Sequence, residues 1–160
     1  MKRLMSFAVA VAMALPTAAW AQDRPSFAGT WSLDASRSDA PPARRGGRGG
    51  RGGRGLAALG GTPQGPVVIT QSATEITIGP TTYKLDGSPS AVGRGGAAEA
   101  KATWDGSKLI IEVTRDLRGN TITTKEVRSL EAGGKEMIVE LTIGAPRGEQ
   151  KIKQVFTKAS

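Results

Sequence analysis

Short runs of alternating apolar and polar residues fill the second half of the chain, and turn residues separate these runs. Asp86-Gly87 and Asp105-Gly106 are strong hairpin signals, because glycine tolerates the positive φ that a two-residue turn demands. No ten-residue stretch with helical periodicity lies between the runs. Runs that recur about every 8–14 residues favour an antiparallel meander that closes into a barrel or a sandwich. The predicted strands are residues 67–71, 75–78, 81–85, 98–104, 108–114, 120–130, 137–143 and 150–158.

One further strand is predicted ahead of this series. Residues 27–33 alternate Phe, Gly, Trp and Leu with smaller or polar residues, and residues 34–38 then predict a short turn or cap. Residues 39–66 are almost wholly Gly, Arg, Pro and Ala. Such a segment cannot bury enough apolar surface to offset the entropy lost on ordering, so we expect it to be a disordered insertion.

The amino-terminal residues have the three-part pattern of a secretory signal. Residues 1–3 are basic at two positions, residues 4–15 carry no charge, and small residues precede Gln22. We therefore expect residues 1–21 to be a cleaved signal peptide, with no transmembrane segment left after its removal. The mature protein is expected in the periplasm or outside a bacterial cell, and the absence of a nearby cysteine argues against a lipoprotein. Residues 22–38 and 67–160 then form one domain on either side of the 39–66 linker.

Alternation also assigns the two faces of each strand. Leu109, Ile111 and Val113 share one face of their strand, whereas Glu112 and Thr114 share the other. Residues 137–143 and 150–158 show the same division. The pattern predicts one buried and one solvated face for each strand.

Gln154 places a polar side chain on an inward face, between Ile152 and Phe156. A buried amide needs a hydrogen-bond partner or a water molecule. The interior is therefore expected to have some polar content. A structural glutamine bonded to Arg128 or to a backbone carbonyl would explain the residue equally well.

Positive charge is concentrated in the linker. The chain has 22 lysines and arginines against 14 aspartates and glutamates, a net charge of +8. Nucleic acid is disfavoured as a partner, because no Phe or Tyr is interleaved to stack on bases and export removes the chain from cellular RNA. Weak contact with anionic envelope polymers or lipid head groups and an inert linker both remain open. The residues concerned are Arg44, Arg45, Arg48, Arg51 and Arg54.

The chain contains no histidine and no cysteine. Thiolate nucleophiles, histidine bases, disulfides and metal sites built on nitrogen or sulfur ligands are therefore excluded. The carboxylates of Glu112, Glu126 and Glu140 fall mostly on solvated faces, and nothing pairs them as acid and base. We expect a protein that is not an enzyme and uses neither a cofactor nor a metal.

Several motifs occur in the order in which one structural group carries them. Gly29-Thr30-Trp31 matches the Gly-x-Trp signature of the calycins, which include lipocalins and fatty-acid-binding proteins. Thr103-Trp104-Asp105-Gly106-Ser107-Lys108-Leu109 resembles a hairpin of the fatty-acid-binding proteins, and Arg128-Ser129-Leu130 follows at a similar spacing. The chain also resembles small exported bacterial β-proteins described as lipocalin-like. The resemblance implies an up-and-down antiparallel barrel of about eight to ten strands.

Two features depart from the fatty-acid-binding proteins. The Arg-x-Tyr pair that holds a carboxylate in that family is replaced here by Gln154 and Phe156, while Arg128 retains a second basic position. The family's helical lid is replaced by the Arg/Gly-rich linker. The resemblance therefore implies a neutral or weakly polar apolar ligand rather than an acid.

The working hypothesis is non-catalytic binding of a small, largely apolar molecule inside the barrel. The alternative is an envelope interaction protein with a solid barrel, whose Arg/Gly arm contacts anionic polymers or lipid head groups. Trp31 is expected to close one barrel end, and the resemblance implies that it packs under an arginine, with Arg128 as the candidate partner in a cation–π contact. The candidate ligand-binding residues are Arg128, Gln154, Phe156, Val139 and Ile111, and the structural residues are Gly29, Trp31 and Trp104.

Overall fold

A computed structural model describes residues 24–39, 65–117, 119–145 and 148–159. The predicted signal peptide lies outside the described residues. So do positions 40–64 of the predicted disordered insertion, together with its five arginines.

Ten β-strands and two short 3-10 turns make up the regular structure of these ranges. No helix in them has the length and apolarity that crossing a lipid bilayer requires. The 3-10 turns are Arg94–Gly96 and Ala132–Gly134. The strands are β1 (Gly29–Leu33), β2 (Val67–Gln71), β3 (Glu75–Ile78), β4 (Thr81–Lys84), β5 (Ser90–Val92), β6 (Ala98–Asp105), β7 (Lys108–Leu117), β8 (Asn120–Glu131), β9 (Glu136–Ala145) and β10 (Gly148–Lys158).

All ten strands belong to one antiparallel sheet, in the order β4-β3-β2-β1-β10-β9-β8-β7-β6-β5. Neighbours in the sheet are neighbours in the chain except where β1 pairs with β10. This one long-range pairing curls the meander into a nearly closed barrel. The predicted all-β, up-and-down architecture is confirmed, and it is consistent with a calycin-type barrel.

The sheet has its two edges at β4 and β5. These edges lie close together, where the backbone N–H of Lys84 donates to the Ser90 hydroxyl over 3.3 Å. Nearby, the N–H of Gly87 donates to the carbonyl of Ala102 over 3.1 Å. The sequence analysis missed β5 because three residues between Pro89 and Gly93 are too few to show an alternating pattern.

The predicted alternation places the core inside the barrel. Every second residue of β2, β3, β6, β7 and β9 is buried, except that Trp104 and Arg115 are half-buried, and the intervening side chains face solvent or are half-buried. The large side chains that are fully buried include Trp31, Phe27, Phe156, Leu109 and Met137.

Trp31 anchors the end of the barrel at which β1 begins. It is fully buried, and its indole N–H donates to the carbonyl of Phe27 over 2.8 Å. The Lys158 ammonium lies 5.5 Å from the centre of the Trp31 ring. The cation placed over this ring is therefore Lys158, whereas the sequence analysis expected Arg128, which pairs with a carboxylate as described below.

The predicted turn at residues 34–38 runs alongside β10. The Asp34 carboxylate accepts hydrogen bonds from Ser36 and Arg37, and these bonds lower its pKa to about 2. The Asp34 N–H donates to the carbonyl of Val155 over 2.8 Å, and the N–H of Lys153 donates to the Asp39 carboxylate over 2.6 Å. The turn therefore continues the pairing that β1 begins.

We predict that Gly29→Ala destabilises the barrel by about 1–3 kcal/mol, because Gly29 has a φ of +140°, which side chains adopt only under strain. An added methyl group would also lie 2.5 Å from Cε of Lys158, which must then leave its position over Trp31. Urea unfolding monitored by tryptophan fluorescence would measure the loss.

Gly144→Ala is the matched control. Gly144 lies within β9 at an ordinary φ, and an added methyl group would make a normal 3.5 Å contact with the carbonyl of Thr123. Its effect should stay within about 0.5 kcal/mol. Equal losses in the two variants would contradict the role given to Gly29.

Candidate functional site in the barrel interior

The five predicted ligand-binding residues come together on the inward face of β7–β10. In the sheet register, Arg128, Val139 and Gln154 pair side by side across β8, β9 and β10. Ile111 pairs with Glu126, which precedes Arg128 on the inward face of β8. Phe156 follows Gln154 on the inward face of β10. All five are buried. Because neighbouring strands lie about 4.8 Å apart, the Cα atoms of Arg128 and Gln154 are roughly 10 Å apart.

Arg128 and Glu126 form an ion pair inside the barrel, between Nη2 and Oε1. Both side chains are at least 96% shielded from solvent. Glu126 is the exception among the three carboxylates expected mostly on solvated faces, since it shares the inward face of β8 with Arg128. Arg128 also reaches Met137, with 3.5 Å between Nη1 and the sulfur atom. The barrel interior therefore holds one positive and one negative charge in direct contact.

Tyr83 also places a phenol inside the barrel, from β4 at one edge of the sheet. It lies on β4, and its inward orientation follows from its pairing with Ile76. Burial raises the pKa of Tyr83 to about 12, and the negative charge of Glu126 adds to the shift, while Arg128 and a hydrogen bond with Thr81 oppose it. The phenol is therefore within electrostatic reach of the buried ion pair.

Gln154 is buried, and its amide oxygen accepts no hydrogen bond in the part of the chain that the structure describes. Its neighbours along the inward face of β10 are Ile152 and Phe156, and its lateral neighbour is Val139. Apolar side chains thus flank a strong acceptor. An acceptor left unsatisfied in such surroundings costs about 1–3 kcal/mol.

Polar side chains separate two apolar clusters within the barrel. Buried polar residues on β8 and β10, namely Thr124, Glu126, Arg128 and Gln154, form what we term the polar layer. On one side lies the main core, which includes Trp31, Phe27 and Phe156. On the other lies a smaller cluster of Leu141, Ile143 and Ile152, with Ile122 packed against it. The interior thus offers polar anchors between apolar walls, an arrangement suited to an amphiphilic molecule.

Trp104 lies at the barrel end that carries the predicted Asp105-Gly106 turn, and it is half-buried. Its ring centre is 6.0 Å from that of Phe27, and the guanidinium carbon of Arg24 lies 5.6 Å from it. Trp104 therefore packs with the residues that precede β1, and in the sheet register Leu109 of β7 lies between it and Arg128.

An open hollow of about 660 Å³ lies on the outer surface, where β5 approaches β6 and β7. It shares no residue with the polar layer. Among the described residues, no group of three or more His, Cys, Asp or Glu side chains is placed to hold a metal ion. The residues lining the hollow are Pro89, Ala91, Gly96, Ala97, Ala98, Glu99, Thr114, Arg115 and Asp116.

Sequence reasoning missed two members of the site, Glu126 and Tyr83. The signal for Glu126 was present, because a residue two positions from Arg128 on a strand must share its face. The sequence gives no comparable indication for Tyr83. This residue lies on β4, which does not pair with β8, so its position relative to β8 depends on the curvature of the sheet.

We predict that Arg128→Met destabilises the barrel by about 3–5 kcal/mol, because the Glu126 carboxylate is left buried without its partner. The double variant Arg128→Met/Glu126→Leu should recover most of this loss, since it removes both charges. Urea unfolding of the wild type, both single variants and the double variant gives the coupling energy.

The exposed pair of Lys125 and Glu112, 3.7 Å apart, provides the control. Lys125→Met should cost less than about 1 kcal/mol, because solvent screens this pair. A double variant no more stable than Arg128→Met would contradict the buried pairing.

We predict that Tyr83 ionises near pH 12 in the folded protein, against 10.0 for an ordinary tyrosine. Because the folded pKa is the higher one, the stabilisation is complete below pH 10 and is lost as the pH rises toward 12. Tyr83 is the chain's single tyrosine, so ultraviolet absorbance of tyrosinate reports it directly. Glu126→Gln should lower the midpoint, whereas Glu112→Gln on the outer face should leave it unchanged. Ionisation at the ordinary pH in the folded wild type would refute the placement of Tyr83.

Comparison with protein-family models found no match to this chain, and comparison with curated proteins found none either.

Proposed function

We propose that this protein binds a small, largely apolar molecule inside its barrel and carries out no chemical step on it. The observation that supports this most strongly is the polar layer, which lies within an otherwise apolar interior. Burial of the apolar body of the ligand would supply most of the affinity, at roughly 25 cal/mol per Å² removed from water. The polar layer would orient it.

The energetics of the ion pair favour a binding role over a purely structural one. Replacing a buried ion pair with apolar side chains of similar volume is often neutral or stabilising. A barrel selected for stability alone would gain nothing from Glu126 and Arg128 in its interior. Gln154 adds to this cost, because its amide oxygen has no partner among the described residues.

The gap between β4 and β5 provides an access route in this proposal. Side-chain and turn contacts join these edges, in place of the regular ladder that joins the other strands. Separating such edges breaks fewer hydrogen bonds than separating paired strands. Tyr83 lies on β4, so a molecule entering here would pass the phenol on its way to Glu126 and Arg128.

The motifs noted in the sequence support the same proposal. Gly29-Thr30-Trp31 lies on β1, and the Asp105-Gly106 hairpin joins β6 to β7, as expected for a relative of the lipocalins and fatty-acid-binding proteins. Both families bind ligands inside their barrels. We also infer from the amino-terminal pattern that the protein is exported and acts in the periplasm or outside the cell.

Native mass spectrometry of residues 22–160, purified gently from the source cells, tests the proposal. We expect a small molecule bound in a one-to-one ratio. Val139→Phe, which enlarges the side chain between Arg128 and Gln154, should abolish its retention, whereas Ile138→Phe on the opposite face of β9 should preserve it. Circular dichroism would verify that both variants fold.

A bare polypeptide mass in every preparation would contradict the proposal and favour a solid barrel. The alternative function would then depend on the Arg/Gly-rich segment. Replacing its five arginines with glutamine should in that case abolish salt-dependent binding to anionic vesicles, with the barrel intact.

A further inference from the structure

We infer that the barrel selects a neutral amphiphile whose head group donates a hydrogen bond to the amide oxygen of Gln154, and that it excludes anions. This inference rests on the proposed function and names the chemical class of the ligand. It follows from three properties of the polar layer: its charge, its unsatisfied acceptor and the apolar surfaces beside that acceptor.

The first property is charge compensation. Arg128 is the cation of the polar layer, and the Glu126 carboxylate is in direct contact with its guanidinium group. Its positive charge is therefore already neutralised inside the barrel. A ligand carboxylate approaching Arg128 would meet the negative charge of Glu126 in a medium that screens poorly. Burial of such an unpaired charge is costly, so an anionic head group is rejected.

The second property is the unsatisfied acceptor. The Gln154 side chain is buried, and its Oε1 atom has no hydrogen-bond partner among the described residues. A ligand hydroxyl or amide N–H would satisfy it. A head group that only accepts hydrogen bonds would leave it unsatisfied, so the site discriminates by donor capacity as well as by charge.

The third property is the setting of that acceptor. Phe156 and Ile152 flank Gln154 along β10, and Val139 lies beside it on β9. Each of these side chains is buried and apolar. An aliphatic body can lie against them while its head group reaches Oε1 of Gln154. The combination fits a long-chain alcohol or a primary amide better than a fatty acid.

Three probes that are each built on an eight-carbon chain separate these properties: 1-octanol, octyl methyl ether and octanoate. The ether is neutral but cannot donate, and octanoate carries the charge. Isothermal titration calorimetry on delipidated, mature wild-type protein at neutral pH should show octanol binding about tenfold more tightly than the ether. Octanoate should bind at least about a hundredfold more weakly than octanol.

Two variants assign these preferences to residues. Gln154→Leu should reduce the advantage of octanol over the ether to about twofold or less while the ether still binds. Glu126→Gln removes the compensating charge, so octanoate should become the preferred probe. Glu112→Gln, on the outer face of β7, should reproduce the wild-type order. Gln154→Leu keeps the inference testable if Glu126→Gln does not fold.

The outcomes separate the inference from the function on which it rests. Equal affinity for all three probes, or a preference for octanoate in the wild type, would overturn the inference and leave ligand binding standing. Failure of every probe to bind would overturn both, and a water molecule would then be the partner of Gln154.

Discussion

The pairing of β1 with β10 is the contact on which the remaining structure depends. The other strands pair with their neighbours in sequence, and such a meander would stay open without this closure. Trp31 pairs with Val67 on one side and Lys158 on the other, so a single residue of β1 joins the two halves of the sheet. Closure makes one face of the sheet an interior. Without it, the ion pair of Glu126 and Arg128 would lie in water.

The sequence was sufficient to predict the strands and their inward faces, because both follow from an apolar pattern that repeats every two residues. Alternation located nine of the ten strands, and it brought together the inward residues Ile111, Val139 and Phe156, which the structure places near one another. It could not show which cation lies over Trp31, because Lys158 reaches the ring through a register between distant strands. The approach of Tyr83 to Glu126 was out of reach for the same reason, since sheet curvature determines it and no local pattern encodes that curvature.

The polar layer shows how buried polar groups and stability compete within a small barrel. Its residues occupy positions that apolar side chains would fill with less desolvation, and they divide the interior into a main core and a smaller cluster. The main core, built around Trp31, Phe27 and Phe156, provides the stability that lets the polar layer persist. A chain without cysteine has no disulfide to compensate for this cost, so the packing near Trp31 must supply it.

The closing pairing also governs how the barrel forms. Ser32 and Thr157, which meet across β1 and β10, are 125 residues apart in the chain. Contacts between such distant residues must overcome a large loop entropy before they return any energy, and folds dominated by them form slowly, in milliseconds to seconds. The hairpins from β6 to β10 join close neighbours and can form early. Until β1 arrives, they constitute a curved sheet with exposed edges, and the apolar face that will become the interior is in contact with solvent. The pairing of β1 with β10 is therefore the step that encloses the polar layer.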